Sequence, residues 1–246
     1  MNNLNSNGVV VKMANSIENC DPETGVCTPG KLTSDKAVVK TPEDAKIIYV
    51  GDPMCSWCWG IAPQLKKLKE HYGVDNFEVV VGGLRPGGGD PWNDQMKDFL
   101  SHHWQQVHEK SGQPFSYDLM DRKSFNYDTE PSCRAVVVAR NWLGHDIMPF
   151  FEAVQYKFYA QSEDPNELSF YQSICDQLAI PFEAFSEKFE SQDAVNKTHE
   201  EFMLNRNWGV TGYPTVLVEK EKKLYVVARG YSEFETMKSL IDQIIT

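Results

Sequence analysis

Cys55 and Cys58 stand two residues apart in the stretch IIYVGDPMCSWCWG, residues 47–60, between an apolar run and the periodic segment IAPQLKKLKEHYG that closes at Gly73. Thiols at that spacing have three uses: they exchange disulfides, supply half of a metal site, or pack as inert core groups. Disulfide exchange needs a thiolate and a second thiol close enough to release the mixed disulfide. A strand-to-helix junction meets both needs. It sets Cys55 at a helix start, where free backbone N–H groups and the helix dipole favour a negative sulfur, and places Cys58 more deeply, one turn on. Cys55 is therefore read as the nucleophile and Cys58 as the thiol that releases it. Ser56 and Trp57 bring no cation, so the backbone must do most of the stabilising, with Ser56 an available donor. Trp57 offers substrate an apolar surface beside the reactive sulfur.

The other cysteines divide. Cys20 and Cys27 flank the turn-forming DPETGV, and read either as an accessory or regulatory dithiol exchanging with Cys55 and Cys58, or as two exposed thiols on an arm. They could also complete a four-ligand zinc site with the first pair. Against that, they lie in a polar arm whereas Cys55 opens an amphipathic helix. Cys133 follows Thr129-Glu130-Pro131 at a helix start and is read as packed. Cys175, on the stripe of Leu168, Tyr171, Ile174 and Leu178, is read as core. The histidines show no metal spacing with acids, and Gly87-Gly88-Gly89 lacks the Lys-Ser/Thr of a phosphate loop. The expected cofactor list is empty of metals and organic groups, and a Cys55–Cys58 disulfide is the redox centre.

The elements that must position this pair follow from period and punctuation. IIYV, stopped by Gly51-Asp52-Pro53, reads as a strand. Ile61, Ala62, Leu65, Leu68 and Tyr72 recur at helical spacing, with Pro63 expected to kink the helix. Phe77–Val81 is a second strand, which makes a βαβ unit with parallel strands. From about Asn93 to Trp208 the pattern is helical. It includes a stripe of Met96, Phe99, Leu100, Trp104 and Val107, a segment from Pro131 to Gly144, and an aromatic run with Phe150, Phe151, Tyr156, Phe158 and Tyr159. Strands return at 214–219 and 224–228, joined by a short charged link that implies an antiparallel hairpin. The last helix opens on Ser232-Glu233-Phe234-Glu235, a capping-box spacing. The predicted fold is α/β: a thioredoxin-like βαβ…ββα core with a four-stranded mixed sheet and an inserted all-helical domain. The predicted divisions are a flexible N-terminal arm over 1–40, the thioredoxin-like domain over 41–90 and 195–246, and the helical insertion over 91–194.

Composition bounds the partners. A chain of 246 residues with 41% hydrophobic and 24% charged residues is ordinary for a globular protein with a sizeable core. The formal charge of −11 disfavours nucleic acid and anionic membrane as main partners. No stretch approaches the roughly 18 apolar residues that span a bilayer. The segment MNNLNSNGVVVKMANSIENC has no basic n-region, so a cytoplasmic location is expected. There, close cysteine pairs mean redox chemistry or metal more often than structural disulfides.

Five stretches in order resemble the DsbA-type thioredoxin-like superfamily, and more narrowly its cytoplasmic bacterial group of predicted protein-disulfide isomerases related to FrnE. They are DPMCSWCWG (52–60), GGLRPG (82–87), the HW–V and SGQPF segment (103–115), YDTEPSCRAVVVAR (127–140) and GYPT (212–215), and the resemblance spans residues 46–246. It implies thiol–disulfide oxidoreductase or isomerase activity on protein or small-molecule disulfides and dithiols, with Cys55 and Cys58 as the redox pair. It also implies that Pro214 is a cis-proline facing them, with Gly212 and Tyr213 beside it to hold substrate backbone, and that GGLRPG and YDTEPSCRA sit around the rim. Thioredoxin or a low-molecular-weight thiol would recycle the pair. Two other readings come with the superfamily. One is a cytosolic adaptor that binds without exchanging disulfides. The other is a glutathione-dependent transferase or isomerase, whose single Ser or Cys at the helix start contrasts with the intact pair here.

Overall fold

The computed structural model describes residues 45–246 and the short strand β1 (Val11–Met13); Cys20 and Cys27, and with them the accessory-dithiol reading, lie outside the described residues. With β2 (Ala45–Gly51), β3 (Phe77–Val81), β4 (Thr215–Lys220) and β5 (Lys223–Arg229), β1 forms one mixed sheet in the order β1-β5-β4-β2-β3. The helix α1 (Ser56–Tyr72) links β2 to β3, which run parallel from Ile47↔Phe77 to Gly51↔Val81. β4 pairs antiparallel with both β2 and β5. The four expected strands are thus present. The fifth, β1, adds three residues parallel to β5 and covers part of an edge whose backbone groups would otherwise stand open. The hairpin between β4 and β5 turns through Glu221 and Lys222, both at positive φ (52° and 61°), the handedness that matches strand twist.

Six helices lie between β3 and β4: α2 (Asp94–Ser111), α3 (Glu130–Leu143), α4 (Met148–Gln161), α5 (Gln172–Gln177), α6 (Phe182–Phe189) and α7 (Gln192–Asn207). α8 (Phe234–Ile245) follows β5. From Ile47 to Val50 the side chains of β2 alternate between two buried faces, which is why that run is continuously apolar. Ile47 and Tyr49 join Ile61, Leu65 and Leu68 of α1, and the same core runs on through Val136 of α3, Phe151 of α4 and Phe185 of α6. Ile48 and Val50 pack on the other face with Val80, Leu217 and Val226. A third cluster sets Met54, Trp59 and Ala62 against Leu100, Trp104 and Tyr159. α1 is therefore clamped on two sides. Each of its fully buried Leu and Ile side chains contributes ~1.5–3 kcal/mol to holding it there.

Three local expectations are corrected. Ser232 does not cap α8. Glu233 is the capping residue and makes no side-chain cap bond, and the Phe234 N–H instead donates to Gln64 Oε1 of α1 at 3.1 Å. A tertiary partner has replaced the local one. Phe99 is 46% exposed and packs on His103 one turn along, and Tyr156 is 48% exposed; both fall at the margin of their helix's apolar stripe. Among the described residues no helix is long and apolar enough to cross a membrane.

Candidate functional site

β2 runs out at Gly51, and after the turn Asp52-Pro53-Met54 Cys55 is the N-cap of α1, in extended conformation. Its N–H donates to Asp52 O and its carbonyl accepts from Trp59 N, both at 3.0 Å, so the turn and the first helical bond are already made by the backbone. No acidic side chain stands in the first turn to oppose a negative sulfur. Cys55 is 5% exposed and Cys58 0%, and both are free thiols. The Cys55 thiol donates to the backbone carbonyl of Tyr213 at 3.5 Å, and the Tyr213–Pro214 peptide is cis. The structure thus brings Cys55, Tyr213 and Pro214 together, with Gly212 exposed next to them. Trp57 is half-buried, edge-on to Tyr231 with ring centres 6.2 Å apart, so only part of its ring is left as a surface.

The deeper sulfur lies in a different medium. Burial pushes the Cys58 thiol well above its ordinary pKa, and the Cys55 sulfur adds to this; the backbone N–H of Asp52 and the hydroxyl of Tyr49 work in the opposite direction. Tyr49 is fully buried on β2. Its hydroxyl lies over Gly51, where any Cβ would collide with it, which is why that position is glycine. Tyr159 of α4 is equally buried and stacks on Trp59.

Asp52, which the sequence shows only as part of a strand stop, is fully buried beneath the junction. Its Oδ1 accepts from Met54 N at 2.8 Å, and its Oδ2 accepts from Leu84 N at 2.7 Å and from the Cys133 thiol at 3.5 Å. Burial raises the Asp52 carboxyl above the usual range, and these bonds partly restore it. Tyr127 donates to Met54 O at 2.6 Å, and Arg85 N donates to Thr129 Oγ1 at 3.0 Å. The GGLRPG and YDTEPSCRA stretches thereby clasp the turn before Cys55. Gly83 sits at φ 75° with Phe202 where its Cβ would be, and Asn205 of α7 donates to Val81 O at 3.0 Å. The Tyr213 hydroxyl donates to Gly82 O, tying the proline loop to the same strand end. Asp52, Tyr49, Tyr127, Thr129 and Asn205 were not singled out as site residues from sequence. The bonds that tie Asp52, Tyr127, Thr129 and Asn205 to Leu84, Cys133, Met54, Arg85 and Val81 span 32 to 124 residues, and only the ordered stretches containing some of them gave a signal. Cys133 and Cys175 are buried, as read.

Among the described residues no group of three or more His, Cys, Asp or Glu is arranged to hold a metal ion. A groove of about 880 Å³ runs between α1, α4 and α5, lined by Trp59, Pro63, Lys66, Glu152 and Tyr156 among others, and its lining includes neither Cys55 nor Cys58.

The DSBA-like thioredoxin domain family matches residues 46–242. This chain belongs to the DsbA-like thioredoxin family. A candidate protein disulfide isomerase from Nitrosomonas europaea superimposes on the DsbA-like chain with TM-score 0.75 and 32% identity, covering 82% of this chain and 97% of its own. Cytosolic disulfide reductase DsbM from Pseudomonas aeruginosa shares the fold at 22% identity and TM-score 0.65, over 81% and 98% of the two chains, and a structure of it with GSH gives 0.59 at 23% identity. The ClpXP adapter protein SpxH of Halalkalibacterium halodurans is 22% identical over 80% of this chain. The match spans 65% of that relative's length.

Proposed function

We propose that this DsbA-like protein is a thiol–disulfide oxidoreductase that acts in the cytoplasm on protein or small-molecule disulfides through Cys55 and Cys58, without metal or organic cofactor. One observation carries the reading: Cys55 heads α1 with its sulfur 3.5 Å from Tyr213 O, while Cys58 is buried one turn deeper. The sulfur of Cys55, as thiolate, attacks one sulfur of a substrate disulfide. A Cys55–substrate bond forms, the substrate S–S bond breaks, and the other substrate sulfur leaves as a thiolate that takes a proton from water. Cys58 then gives up its proton and attacks the Cys55 sulfur, expelling the second substrate thiolate. Two cysteine thiols have become one disulfide and the substrate disulfide has become two thiols. The reverse sequence oxidises a substrate dithiol, and partial passage in both directions isomerises. In this scheme Tyr213 and Gly212, next to Pro214, hold substrate backbone and the exposed part of Trp57 meets its apolar side chains. A low-molecular-weight thiol or thioredoxin regenerates the dithiol, a role that the GSH-bound DsbM structure supports for glutathione.

The test is insulin reduction driven by dithiothreitol. The wild-type protein is expected to accelerate it and Cys55→Ser to add nothing to the uncatalysed rate; equal turnover by Cys55→Ser contradicts the assignment. The SpxH match favours a second reading, a binding adaptor. Under it, Cys55→Ser would lose no partner binding and the wild-type protein would lack reductase activity.

A further inference from the structure

Cys58 must become an anion during the releasing step, in a place where burial opposes charge. Something in the fold has to meet that sulfur. Tyr49 is 0% exposed and its hydroxyl has no hydrogen-bond partner of ordinary geometry among the described residues. Buried hydroxyls without partners are rare, and each asks for a reason. Two features show that the orientation is built. Tyr49 and Gly51 point to the same side of β2, the side that carries α1, and the absence of a side chain at Gly51 is what lets the phenol reach along the strand toward the start of that helix. At that end the hydroxyl lies beside Cys58, whose other near donor is the backbone N–H of Asp52. The ring itself is fixed by the core, edge-on to Phe151 at 5.6 Å between centres.

We propose that Tyr49 is a hydrogen-bond donor to the sulfur of Cys58, forming with the Asp52 N–H a two-donor cradle for the thiolate that releases substrate from Cys55. The inference rests on the exchange reaction proposed above. Tyr49 takes no proton in it: the Cys58 proton leaves with the departing substrate thiolate, and the phenol turns its own hydrogen toward the sulfur as the negative charge appears. A donor to a charged group in a buried site is worth on the order of a tenfold to a hundredfold in such a step. Tyr49 therefore governs the second half of the reaction and leaves the first half to Cys55.

The experiment separates the two halves. Full-length protein carrying Cys20→Ser and Cys27→Ser, so that the arm's thiols release no dye, is treated with the chromogenic aromatic disulfide dithiobis(nitrobenzoate). The first equivalent of released dye reports attack by Cys55, and the second reports release by Cys58. Tyr49→Phe, which removes one oxygen, is expected to leave the first phase unchanged and to slow the second by ~10- to 100-fold, with its pH midpoint moved upward. Other titratable groups facing Cys58 are Cys55 on α1, Asp52 in the turn and Tyr213 before β4, and all three remain in the variant. Tyr171→Phe, which deletes a buried hydroxyl bonded to Pro165 O away from the pair, controls for general loosening and should leave both phases alone. Replacing Tyr49 by 3-fluorotyrosine makes the donor more acidic without shortening it, and should speed the second phase; it also serves if the phenylalanine variant does not fold. A second phase that is the same in wild type and folded Tyr49→Phe, or that slows with 3-fluorotyrosine, overturns the assignment of Tyr49. No dye release by wild type at Cys55 would instead overturn the exchange reading on which it stands.

Discussion

Cys55 caps α1 and Cys133 lies in the opening turn of α3, so the backbone presents both sulfurs to a positive helix end. Their side-chain surroundings differ. Cys55 has no acid in the first turn of its helix, is 5% exposed, and faces a backbone carbonyl beside an exposed glycine. Cys133 is 0% exposed and donates to the Asp52 carboxylate at 3.5 Å; burial first, and the Asp52 charge second, push its thiol well above the ordinary value. Two thiols at helix starts thus sit in opposite electrostatic surroundings. The buried carboxylate decides where its help goes: Asp52 turns its backbone N–H toward Cys58 and its charge toward Cys133. One residue thus eases negative charge on one buried sulfur and opposes it on the other.

That contrast sets the largest expected difference between variants. Cys55→Ser should cost at least roughly a thousandfold in catalysed insulin reduction, whereas Cys133→Ala should stay within about twofold of wild type. A folded Cys133→Ala protein that loses as much as Cys55→Ser would erase the contrast. Alkylation sharpens it further. With iodoacetamide and peptide mapping, Cys55 should react in the native protein, while Cys133 and Cys175 wait for opening of the fold and react on the order of a thousandfold more slowly. Comparable labelling of Cys133 and Cys55 would show that burial does not protect it.

Smaller effects follow for Asp52 itself. Asp52→Asn keeps one acceptor oxygen and loses the other, leaving Met54 N or Leu84 N unpaired, at a cost of about 1–3 kcal/mol in denaturant unfolding. No change would mean that these bonds do not hold the turn. The pH dependence carries a sign as well. Burial raises the Asp52 carboxyl, so the folded protein binds that proton more tightly than the unfolded chain does. The stability this gives is complete below the ordinary carboxylate range and is lost as pH rises through the raised value. Wild-type stability, taken relative to Asp52→Asn, should therefore decline across that window, and a rise would contradict the direction assigned to Asp52.

The framework was legible because its signals are local. The helical period from Ile61 to Tyr72 between two apolar runs is enough to give a parallel βαβ unit, and the short charged link over 220–223, which the structure tightens to Glu221-Lys222, leaves only a hairpin. The place of Cys55 followed from the Gly51-Asp52-Pro53 stop. What stayed hidden depends on partners far along the chain. Asp52 reads as a turn former until Leu84 and Cys133 meet it, 32 and 81 residues on. The start of α8 looks like a capping box, yet its bond comes from Gln64, 170 residues earlier. Tyr49 looks like any aromatic in a buried strand, since nothing in IIYV shows that its hydroxyl ends beside a cysteine of the next helix. The strand Val11–Met13 is too short to show a period at all.

The central claim is that Cys55 attacks and Cys58 releases. The most direct measurement uses Cys58→Ser, incubated with glutathione disulfide and then with an oxidised protein substrate, and analysed by intact mass and peptide mapping without reductant. The account predicts a stable mixed disulfide on Cys55, which wild type forms only transiently before closing Cys55–Cys58. An adduct on Cys133, or none at Cys55, would contradict it.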